Sequence, residues 1–268
     1  MVETNITRMY TSELTLSEKI AIVERSILLD LSLEDEHYVM IPDNHAEIII
    51  PLNQDLQFRC NGSVRSLRLE VGKGYFLMPR RRGATIDKSA LGQCIILKVH
   101  PAFARKMAHQ LQELSNGVFD LALSSMLIHR IMNAMNQEDR FLLSEILEQF
   151  FAVHQDLFDH NLTIMLSIEQ IKESCGTVSI QDLYSGLEIS KSKLEQHFNK
   201  ELGLTPKEYC KIEKINCFLR AFMQNRKMNL TELTYQCGYY DQSHLIKDFK
   251  YFLDASPKRF FSKNLSVI

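Results

Sequence analysis

Residues 238–257 read GYYDQSHLIKDFKYFLDASP, and their last seventeen positions repeat the pattern of residues 190–206, SKSKLEQHFNKELGLTP. The two copies lie 51 residues apart. Each copy begins with a polar residue that can cap a helix, and two apolar residues four positions apart follow it. This spacing predicts a short helix with one buried face. The caps and apolar pairs are Ser190, Leu194 and Phe198 in the first copy and Asp241, Leu245 and Phe249 in the second.

Both copies also end in the same way. Gly203 and Asp254 stand where the helix has to end, and the left-handed backbone is open to Gly and, at some cost, to Asp. Pro206 and Pro257 follow three residues later and preset the backbone for the first turn of another helix. The repeat therefore predicts two equivalent capped helices, each followed by a further helix.

A short helix is predicted before each copy as well. Ser179 can cap a helix over 180–186, and Asn229 can cap one over 230–237. A tight turn separates each of these helices from the copy that follows it. Two short helices joined by a tight turn form a helix-turn-helix. The sequence thus predicts two such motifs, connected by a longer helix over about 206–223.

The helix faces opposite the apolar pairs are polar and partly cationic. Such side chains, on a helix that enters a major groove, contact base edges and phosphates. Solvated faces of small helices are the alternative interpretation, and the duplication of cap, apolar pair and terminator favours DNA. These faces comprise Ser192, Glu195, Gln196 and Asn199 in the first copy and Ser243, Ile246, Lys247 and Lys250 in the second. The full set of predicted DNA-binding residues also includes Lys191, Lys193, Lys200, Gln242 and His244.

The chain resembles a known family over residues 164–261, which are similar to the DNA-binding domain of the AraC/XylS family of bacterial transcription regulators. The residues that carry the resemblance are Gly238-Tyr239, Asp241-Gln242-Ser243-His244-Leu245, Lys247, Phe249-Lys250 and Ser256-Pro257, with Ser190, Leu194, Phe198, Gly203, Thr205-Pro206 and Tyr209 in the first copy. The resemblance implies two recognition helices in successive segments of the major groove. It also implies base contacts by Ser192, Glu195 and Gln196 and by Gln242, Ser243, His244, Ile246 and Lys247.

Several residues depart from the family pattern. Glu188 stands in the first turn, where the family usually has Gly, and a left-handed residue other than Gly costs ~1 kcal/mol. Lys214 replaces the usual Arg in the connecting helix, Tyr184 and Thr234 replace small residues, and Asp254 replaces Gly. We expect these departures to affect the contribution of the first motif to binding more than the fold.

The composition is that of an ordinary globular protein of about two domains. The 268 residues are 45% hydrophobic and 24% charged, with a net charge of −2. Residues 161–268 carry 15 Lys and Arg against 12 Asp and Glu, a net charge of +3, whereas residues 1–160 carry 16 against 21, a net charge of −5. We therefore expect the second half to contact a polyanion, and we place the domain boundary between residues 160 and 161.

Residues 1–160 are predicted to form a small β-barrel or sandwich followed by helices. Short apolar runs separated by turn residues predict strands at 27–34, 46–50, 56–60, 64–71, 75–78 and 94–99. One helix face is predicted from Phe103, Met107, Leu111 and Leu114, and another from Leu142, Leu143, Ile146, Phe150 and Phe151, with Asp139 or Asn136 as its cap. This order of elements resembles the cupin-like sensor and dimerisation half of many AraC-type regulators. The expected fold class is α+β in two domains: a β-rich, cupin-like N-terminal domain with helices, and an all-α C-terminal domain with two helix-turn-helix motifs.

The first half contains no clear catalytic or metal-binding motif. A metal-bearing cupin brings several His side chains and a Glu onto one ion, and His37, His45, His100 and His109 lack that spacing. We expect no metal, no cofactor and no catalytic residue, so that this half regulates and the protein is not an enzyme. A cupin-type small-molecule-binding protein or enzyme with a vestigial DNA module is the alternative. The turn 80–82, three consecutive Arg, either holds an anionic effector or forms a basic turn exposed to solvent.

The expected partners are double-stranded DNA, RNA polymerase, a small-molecule effector and a second copy of the chain. The homodimer is expected because residues 141–151 give one helix a broad apolar face, for which packing on the β-core is the alternative. The sequence has neither an export signal at its start nor an apolar run of membrane-spanning length, so we expect a cytoplasmic protein without membrane association. The six Cys are accordingly expected to be free thiols.

Overall fold

The computed structural model describes residues 8–10, 23–30, 37–63, 65–87, 92–115, 117–137, 139–152, 161–224, 229–262 and 266–267. The first part of the chain forms two β-sheets with helices against one of them, and the second part is helical apart from a short last strand that joins the smaller sheet. None of the helices in the described part of the chain combines the length and the apolar character needed to cross a membrane.

The larger sheet has seven strands and the smaller has five. In spatial order the larger sheet contains β1 (Arg8–Tyr10), β2 (Val23–Asp30), β9 (Gln93–Val99), β4 (Ala46–Pro51), β7 (Tyr75–Leu77), β11 (Val118–Asp120) and β10 (Gln112–Ser115). The smaller sheet contains β12 (Ser266–Val267), β3 (His37–Met40), β8 (Ala84–Asp87), β5 (Leu56–Cys60) and β6 (Leu67–Leu69). The pairing of β12 with β3 is parallel, and the other described pairings are antiparallel.

The central strand β4 is buried on both faces, because each face packs against a different layer. Successive side chains of a strand point to opposite sides. Ile49 therefore belongs to the core between the two sheets, whereas Ile48 and Ile50 belong to the core under the helices. Those helices are α1 (Ala104–His109), α2 (Ser125–Asn136) and α3 (Arg140–Ala152). The result is three layers, in the order small sheet, large sheet and helices.

Most of the predicted strands are present. The prediction of 56–60 matches β5, and those of 46–50, 75–78 and 94–99 match β4, β7 and β9 to within one residue. The strand predicted over 64–71 is shorter, since β6 covers only Leu67–Leu69. The strand predicted over 27–34 corresponds to β2, which begins at Val23, and residues 31–34 lie outside the described residues.

The helix predicted through Leu111 and Leu114 is wrong at its C-terminal end. Helix α1 ends at His109, and Leu114 lies on strand β10 with 41% of its surface exposed. Gly117, with φ of 78°, provides the turn that pairs β10 with β11 as a hairpin. The apolar residues follow the 3.6-residue period of a helix, but strand pairing in this hairpin, which extends the larger sheet, determines the structure.

The predicted cap of α3 is present, because the Asp139 carboxylate accepts a hydrogen bond from the Leu142 N–H at 2.9 Å. Leu143 and Ile146 are buried against the sheet, while Leu142 and Phe150 pack at the edge of the same core. Phe141 points away from this core and is 82% exposed. The side chain of Phe151 lies outside the described residues. Packing on the β-core thus accounts for most of the apolar face of α3, and Phe141 is the exception.

The second half of the described chain contains the helices that the repeat predicts. They are α4 (Leu162–Glu173), α5 (Ile180–Gly186), α6 (Lys191–Leu202), α7 (Pro206–Gln224), α8 (Leu230–Gln236), α9 (Gln242–Leu253) and α10 (Pro257–Ser262). Both apolar pairs of the repeat are fully buried in one shared core. Helix α7 passes through that core, where Ile212, Ile215 and Phe218 are fully buried. The two predicted helix-turn-helix motifs, α5–α6 and α8–α9, therefore form a single packed unit.

The predicted helix ends are also confirmed. The Ser190 hydroxyl accepts from the Lys193 N–H at 3.2 Å, and the Asp241 carboxylate accepts from the His244 N–H at 2.7 Å. Gly203 and Asp254 end α6 and α9 in the left-handed region, with φ of 67° and 56°. The repeat predicts these features correctly because each depends on residues close together in sequence.

The expectation of six free thiols is wrong for one pair. Cys175 and Cys217 form a disulfide with their Cα atoms 5.8 Å apart, whereas Cys60, Cys94, Cys210 and Cys237 are free. The turn after α4 packs directly on α7, since a Cβ at residue 176 would lie 2.1 Å from the carbonyl oxygen of Cys210. This close approach brings the two sulfurs together. Because 42 residues separate the two Cys in sequence, their spacing does not indicate that they pair.

Candidate nucleic-acid interface

The candidate interface consists of the outward faces of the two repeat helices, α6 and α9. Burial of Leu194 and Phe198 fixes the rotation of α6, and burial of Leu245 and Phe249 fixes that of α9. Eleven of the thirteen predicted DNA-binding residues are exposed: Lys191, Ser192, Lys193, Gln196, Asn199 and Lys200 on α6, and Gln242, Ser243, His244, Lys247 and Lys250 on α9. The other two, Glu195 and Ile246, are half-buried at equivalent positions of the two helices. The predicted residues thus lie on two separate helices, and equivalent positions of the two helices are exposed to a similar extent.

Hydrogen bonds hold some of these side chains in place. The Gln242 amide donates to the Thr231 hydroxyl at 2.7 Å, which ties the start of α9 to α8. The Asn199 amide donates to the Glu195 carbonyl oxygen at 2.9 Å. Lys191 lies 3.8 Å from the Glu195 carboxylate, so that the one acidic group of this face is partly compensated within its own helix. An exposed pair of this kind contributes little to stability, and a phosphate can replace it.

Asp248, which is not among the predicted site residues, links α9 to α7. Asp248 is 4% exposed, and its carboxylate accepts from the Lys211 ammonium at 2.9 Å. The His244 ring lies 3.9 Å from the same carboxylate and packs edge-on against the Tyr239 ring, with ring centroids 5.4 Å apart. In the sequence, the only indication of this link is an acidic residue, Asp248, between the cationic residues Lys247 and Lys250.

The two turns differ in length and in strain. In the first, Glu188 has φ of 53°, and only Ile189 separates it from the Ser190 cap. In the second, Gly238 has φ of 73°, and two residues precede the cap. The second of these, Tyr240, is 86% exposed. The predicted left-handed strain at residue 188 is therefore present in the structure.

Lys214, which stands where the family usually has Arg, supports the second turn. Its ammonium donates to the Gly238 carbonyl oxygen at 3.3 Å and lies 5.4 Å from the centroid of the Tyr239 ring. A cation over an aromatic face is favourable. Lysine thus still links the connecting helix to the turn that precedes α9.

A buried cluster of charges lies in the first half of the chain, between the two sheets. Lys98 and Glu47 are each 1% exposed and form an ion pair, and Arg80 pairs with the same glutamate. Lys98 also lies 2.9 Å from the Asp43 carboxylate. Burial works to raise the pKa of Asp43, but the charges of Lys98 and His45 hold it well below its usual range. The positive charges of Lys98 and Arg80 thus balance the negative charges of Asp43 and Glu47.

His45 and His100 directly precede and follow the paired residues Ala46 and Val99, so they lie near each other at the ends of β4 and β9. Within the described ranges no three His, Cys, Asp or Glu side chains are grouped for a metal ion. His100 caps the single helical turn Pro101–Phe103, and its ring nitrogen accepts from the Ala102 N–H. Burial raises the pKa of the Cys94 thiol to about 12, so this side chain stays protonated at neutral pH.

A narrow apolar cavity of about 10 Å³ lies between the larger sheet and helices α2 and α3. Its walls include Leu97 from the sheet, Leu127 from α2 and Phe150 from α3. Its walls are apolar, so they offer no partner to an anion.

The basic turn over residues 80–82 is not a free basic loop. Arg80 is largely buried through its pairing with Glu47. Arg81 and Arg82 are exposed, but both side chains contact the helical half.

A protein-family profile described as "Helix-turn-helix domain" matches residues 184–263, which run from α5 to the end of α10. Residues 184–263 of this chain form an AraC-type helix-turn-helix domain. The xylose operon regulatory protein of Escherichia coli is 25% identical to the chain over 95 residues. That match covers 35% of this chain and 24% of the relative, so the chain spans about a quarter of the length of the curated relatives it matches.

The likeness to solved structures extends beyond the AraC-type domain. An apo form of a ToxT variant from Vibrio cholerae matches with a TM-score of 0.60 and 14% identity, over 89% of this chain and 96% of ToxT. Wild-type ToxT with an unsaturated fatty acid bound matches with a TM-score of 0.56, over 88% of this chain and 93% of ToxT. At this identity the likeness shows the fold: a β-rich N-terminal region joined to a helical C-terminal region, as the sequence predicts.

Proposed function

We propose that the protein is a sequence-specific DNA-binding transcription regulator. The observation that carries this proposal is the pair of helix-turn-helix motifs in one core, each with an exposed polar and cationic helix face. Two recognition helices fixed in a single unit suit two successive segments of the major groove on one side of the duplex. The AraC-type profile and the xylose operon regulator of Escherichia coli support the same function.

The thirteen predicted residues differ in which groups of the DNA their side chains can contact. Ser192, Gln196, Gln242 and Ser243 carry neutral donors and acceptors suited to base edges, and Gln is suited to adenine. Lys247 has a charge-assisted route to guanine or to phosphate. The remaining lysines of the two faces are suited to phosphates, which fix register and orientation.

We further propose that the domain boundary lies between residues 160 and 161. Helix α4 begins at its cap Asn161, whose side-chain oxygen accepts from the Ile164 N–H at 3.4 Å. Ile164 and Ile168 of α4 are buried in the core shared by the helix-turn-helix motifs. These contacts support assigning α4 to the AraC-type domain.

For the first half we propose regulation rather than catalysis. Its fold neighbour ToxT has been crystallised with an unsaturated fatty acid, which supports a small-molecule effector for this chain as well. The apolar layer between the larger sheet and helices α2 and α3 is a candidate site for such a molecule. Binding there would require the helices to move away from the sheet, because the present cavity is only about 10 Å³. We also propose that the protein forms a homodimer and contacts RNA polymerase. Its proposed location is the cytoplasm, where bacterial DNA is found.

The test uses the full chain and does not require the operator to be identified first. Random duplexes are selected on the purified protein, and the enriched sequence is titrated by fluorescence anisotropy at several salt concentrations. We expect one enriched site, with affinity falling steeply as salt rises because bound phosphates release counterions. The matched variants are Lys247→Ala on the α9 face and Lys73→Ala in an exposed turn of the first half. Absence of any enriched sequence, or equal loss of affinity in both variants, would contradict the proposal.

A further inference from the structure

The two recognition helices must keep a fixed separation if they are to enter successive major-groove segments together. Within the helical half, α7 joins α6 to the second motif, and α9 packs on α7. Further connections run through the first half of the chain, where α1 lies against α6 and strand β12 pairs with β3. The segment Arg81–Gly83, in the turn between β7 and β8, contacts the C-terminal ends of both α6 and α9. We call this segment the β7–β8 turn.

At the end of α6, Arg81 contacts the helix terminus and the start of the next helix. Its guanidinium donates to the Gly203 carbonyl oxygen at 3.1 Å and lies 3.2 Å from the Glu208 carboxylate. The last carbonyls of a helix have no partner within it, and a cation is favoured at that end. Arg81 thus holds α6 at the point where it joins α7.

At the end of α9 the contact is made partly by the backbone. The Gly83 N–H donates to the Phe252 carbonyl oxygen at 2.8 Å, again one of the terminal carbonyls of a recognition helix. The Arg82 guanidinium lies 5.2 Å from the centroid of the Tyr251 ring. Gly62 leaves the space for it, since a Cβ there would lie 2.7 Å from the Arg82 side chain. One short turn therefore contacts the same end of both recognition helices.

This docking leaves the DNA-facing surfaces open. The contacts involve the C-terminal ends of α6 and α9, whereas Ser192, Gln196, Ser243 and Lys247 lie toward the N-terminal and middle parts of the helices and are exposed. The docked arrangement is therefore compatible with DNA contact by both faces.

Two further hydrogen bonds hold the same arrangement. The Asn44 amide donates to the Tyr209 carbonyl oxygen at 3.1 Å, and the Asn216 amide donates to the Pro42 carbonyl oxygen at 2.9 Å.

We propose that the β7–β8 turn positions the two recognition helices relative to one another, so that the first half of the chain sets the spacing of the two DNA segments the protein accepts. Arg81 and Arg82 are positioning residues in this role and do not touch DNA. The inference rests on the proposed DNA-binding function. Its physical basis is preorganisation: a second connection removes freedom between the helices that binding would otherwise have to freeze.

The first experiment tests the docking without DNA. Hydrogen exchange of the full chain is measured at the Gly83 amide in the wild type, in Arg81→Ala/Arg82→Ala and in Arg65→Ala, an exposed arginine elsewhere in the β-domain. We expect exchange at Gly83 to be accelerated about tenfold or more by the double substitution and unchanged by Arg65→Ala. An unprotected Gly83 amide in the wild type would overturn the proposal without any variant having to fold.

The second experiment measures the tolerance to spacing. The selected DNA site is compared with versions that carry one base pair inserted or deleted between the two contacted segments. One inserted pair rotates and shifts the second segment, so we expect the wild type to lose about tenfold in affinity or more. In Arg81→Ala/Arg82→Ala this loss should shrink to about threefold, while affinity for the unaltered site falls modestly. Arg65→Ala should behave as the wild type.

The salt dependence separates positioning from direct contact. If Arg81 and Arg82 bound phosphates, the slope of log affinity against log salt would fall by about one for each arginine removed. We expect an unchanged slope, together with the relaxed spacing. A reduced slope, or an unchanged spacing preference, would overturn the positioning role while leaving DNA binding intact. If the wild type bound no DNA, the proposed function and this role would both fail, whereas protection of Gly83 would still reveal the docking.

Discussion

The Lys211 ammonium lies 2.9 Å from the Asp248 carboxylate and so joins the connecting helix α7 to the recognition helix α9. The carboxylate is nearly buried, whereas the lysine side chain is 37% exposed. Removing the lysine would leave an acidic group in an apolar core without this counter-charge. We therefore expect Lys211→Met to lower the free energy of unfolding by about 2–3 kcal/mol, at or below the lower end of the range for fully buried pairs. The measurement is urea unfolding of the full chain.

A double variant provides the control for this pair. Lys211→Met/Asp248→Leu removes both charges and should recover most of the lost stability, because apolar residues of similar volume often replace a buried ion pair without loss. If the single and double variants were equally unstable, the ion pair would not be the cause.

The strained turn of the first motif gives a prediction of the opposite sign. Glu188 has φ of 53°, a conformation that costs a side chain ~1–2 kcal/mol and costs glycine nothing. After the greater chain entropy of glycine is subtracted, Glu188→Gly should still stabilise the protein by about 0.5–1 kcal/mol. The matched control is Glu169→Gly in the middle of α4, where the same substitution should destabilise by ~1 kcal/mol. Thermal unfolding of both variants decides the question, and a loss of stability in Glu188→Gly would contradict it.

Local features of this fold could be predicted from the sequence, and long-range contacts could not. The caps at Ser190 and Asp241 depend on neighbouring residues, so a pattern of seventeen residues is enough to place them. The hydrogen bond from Asn44 to Tyr209 joins residues 165 apart, and no periodicity encodes it. The pairing of Cys175 with Cys217 was missed for the same reason.

For the candidate site, the repeat predicted which helix faces would be exposed but not what holds those helices in place. Asp248 and the Arg81 contact to α6 become evident only when separate elements are brought together. The error at Leu114 has a related cause, since a helical pattern of four residues cannot reveal that a neighbouring strand is available for pairing.

The buried charge cluster predicts a dependence of stability on pH. The Asp43 pKa is held well below its usual range, so its stabilising effect is present above the ordinary carboxyl pKa of about 3.9 and is lost as the pH falls through the folded value. Asp43→Asn should therefore destabilise the protein at pH 7 and flatten the change in stability below about pH 4. Urea unfolding between pH 2.5 and pH 7 measures both effects. Glu145→Gln, on the exposed side of α3, should leave the profile close to that of the wild type.

The proposed homodimer depends on a side chain that the fold itself does not use. Phe141 is 82% exposed on α3, and Met126 is 73% exposed on the adjacent helix α2. Phe141→Ser should shift the full chain toward monomer in sedimentation at micromolar concentration, with little change in the free energy of unfolding of the protomer. Leu143→Ala, two residues along and 2% exposed, should instead cost about 2–5 kcal/mol. A wild-type protein that sediments as a monomer would remove the dimer from the proposal.

The last prediction concerns how the two motifs share the binding energy. Gln196 and Lys247 occupy equivalent positions of the repeat and are both exposed. Around Gln196, the carboxylate of Glu195 opposes phosphates and Glu188 strains the turn. Around Lys247, Gly238 fits its turn and Lys250 adds a second cation. Lys247→Ala should therefore cost ~1–3 kcal/mol of binding, and Gln196→Ala should cost less while relaxing the preference at one or two base pairs. Titrations of both variants on one selected site, with footprints at two positions a helical turn apart, decide the ranking. If Gln196→Ala abolished binding and Lys247→Ala had no effect, the first motif would be the dominant one, despite its acidic neighbour and its strained turn.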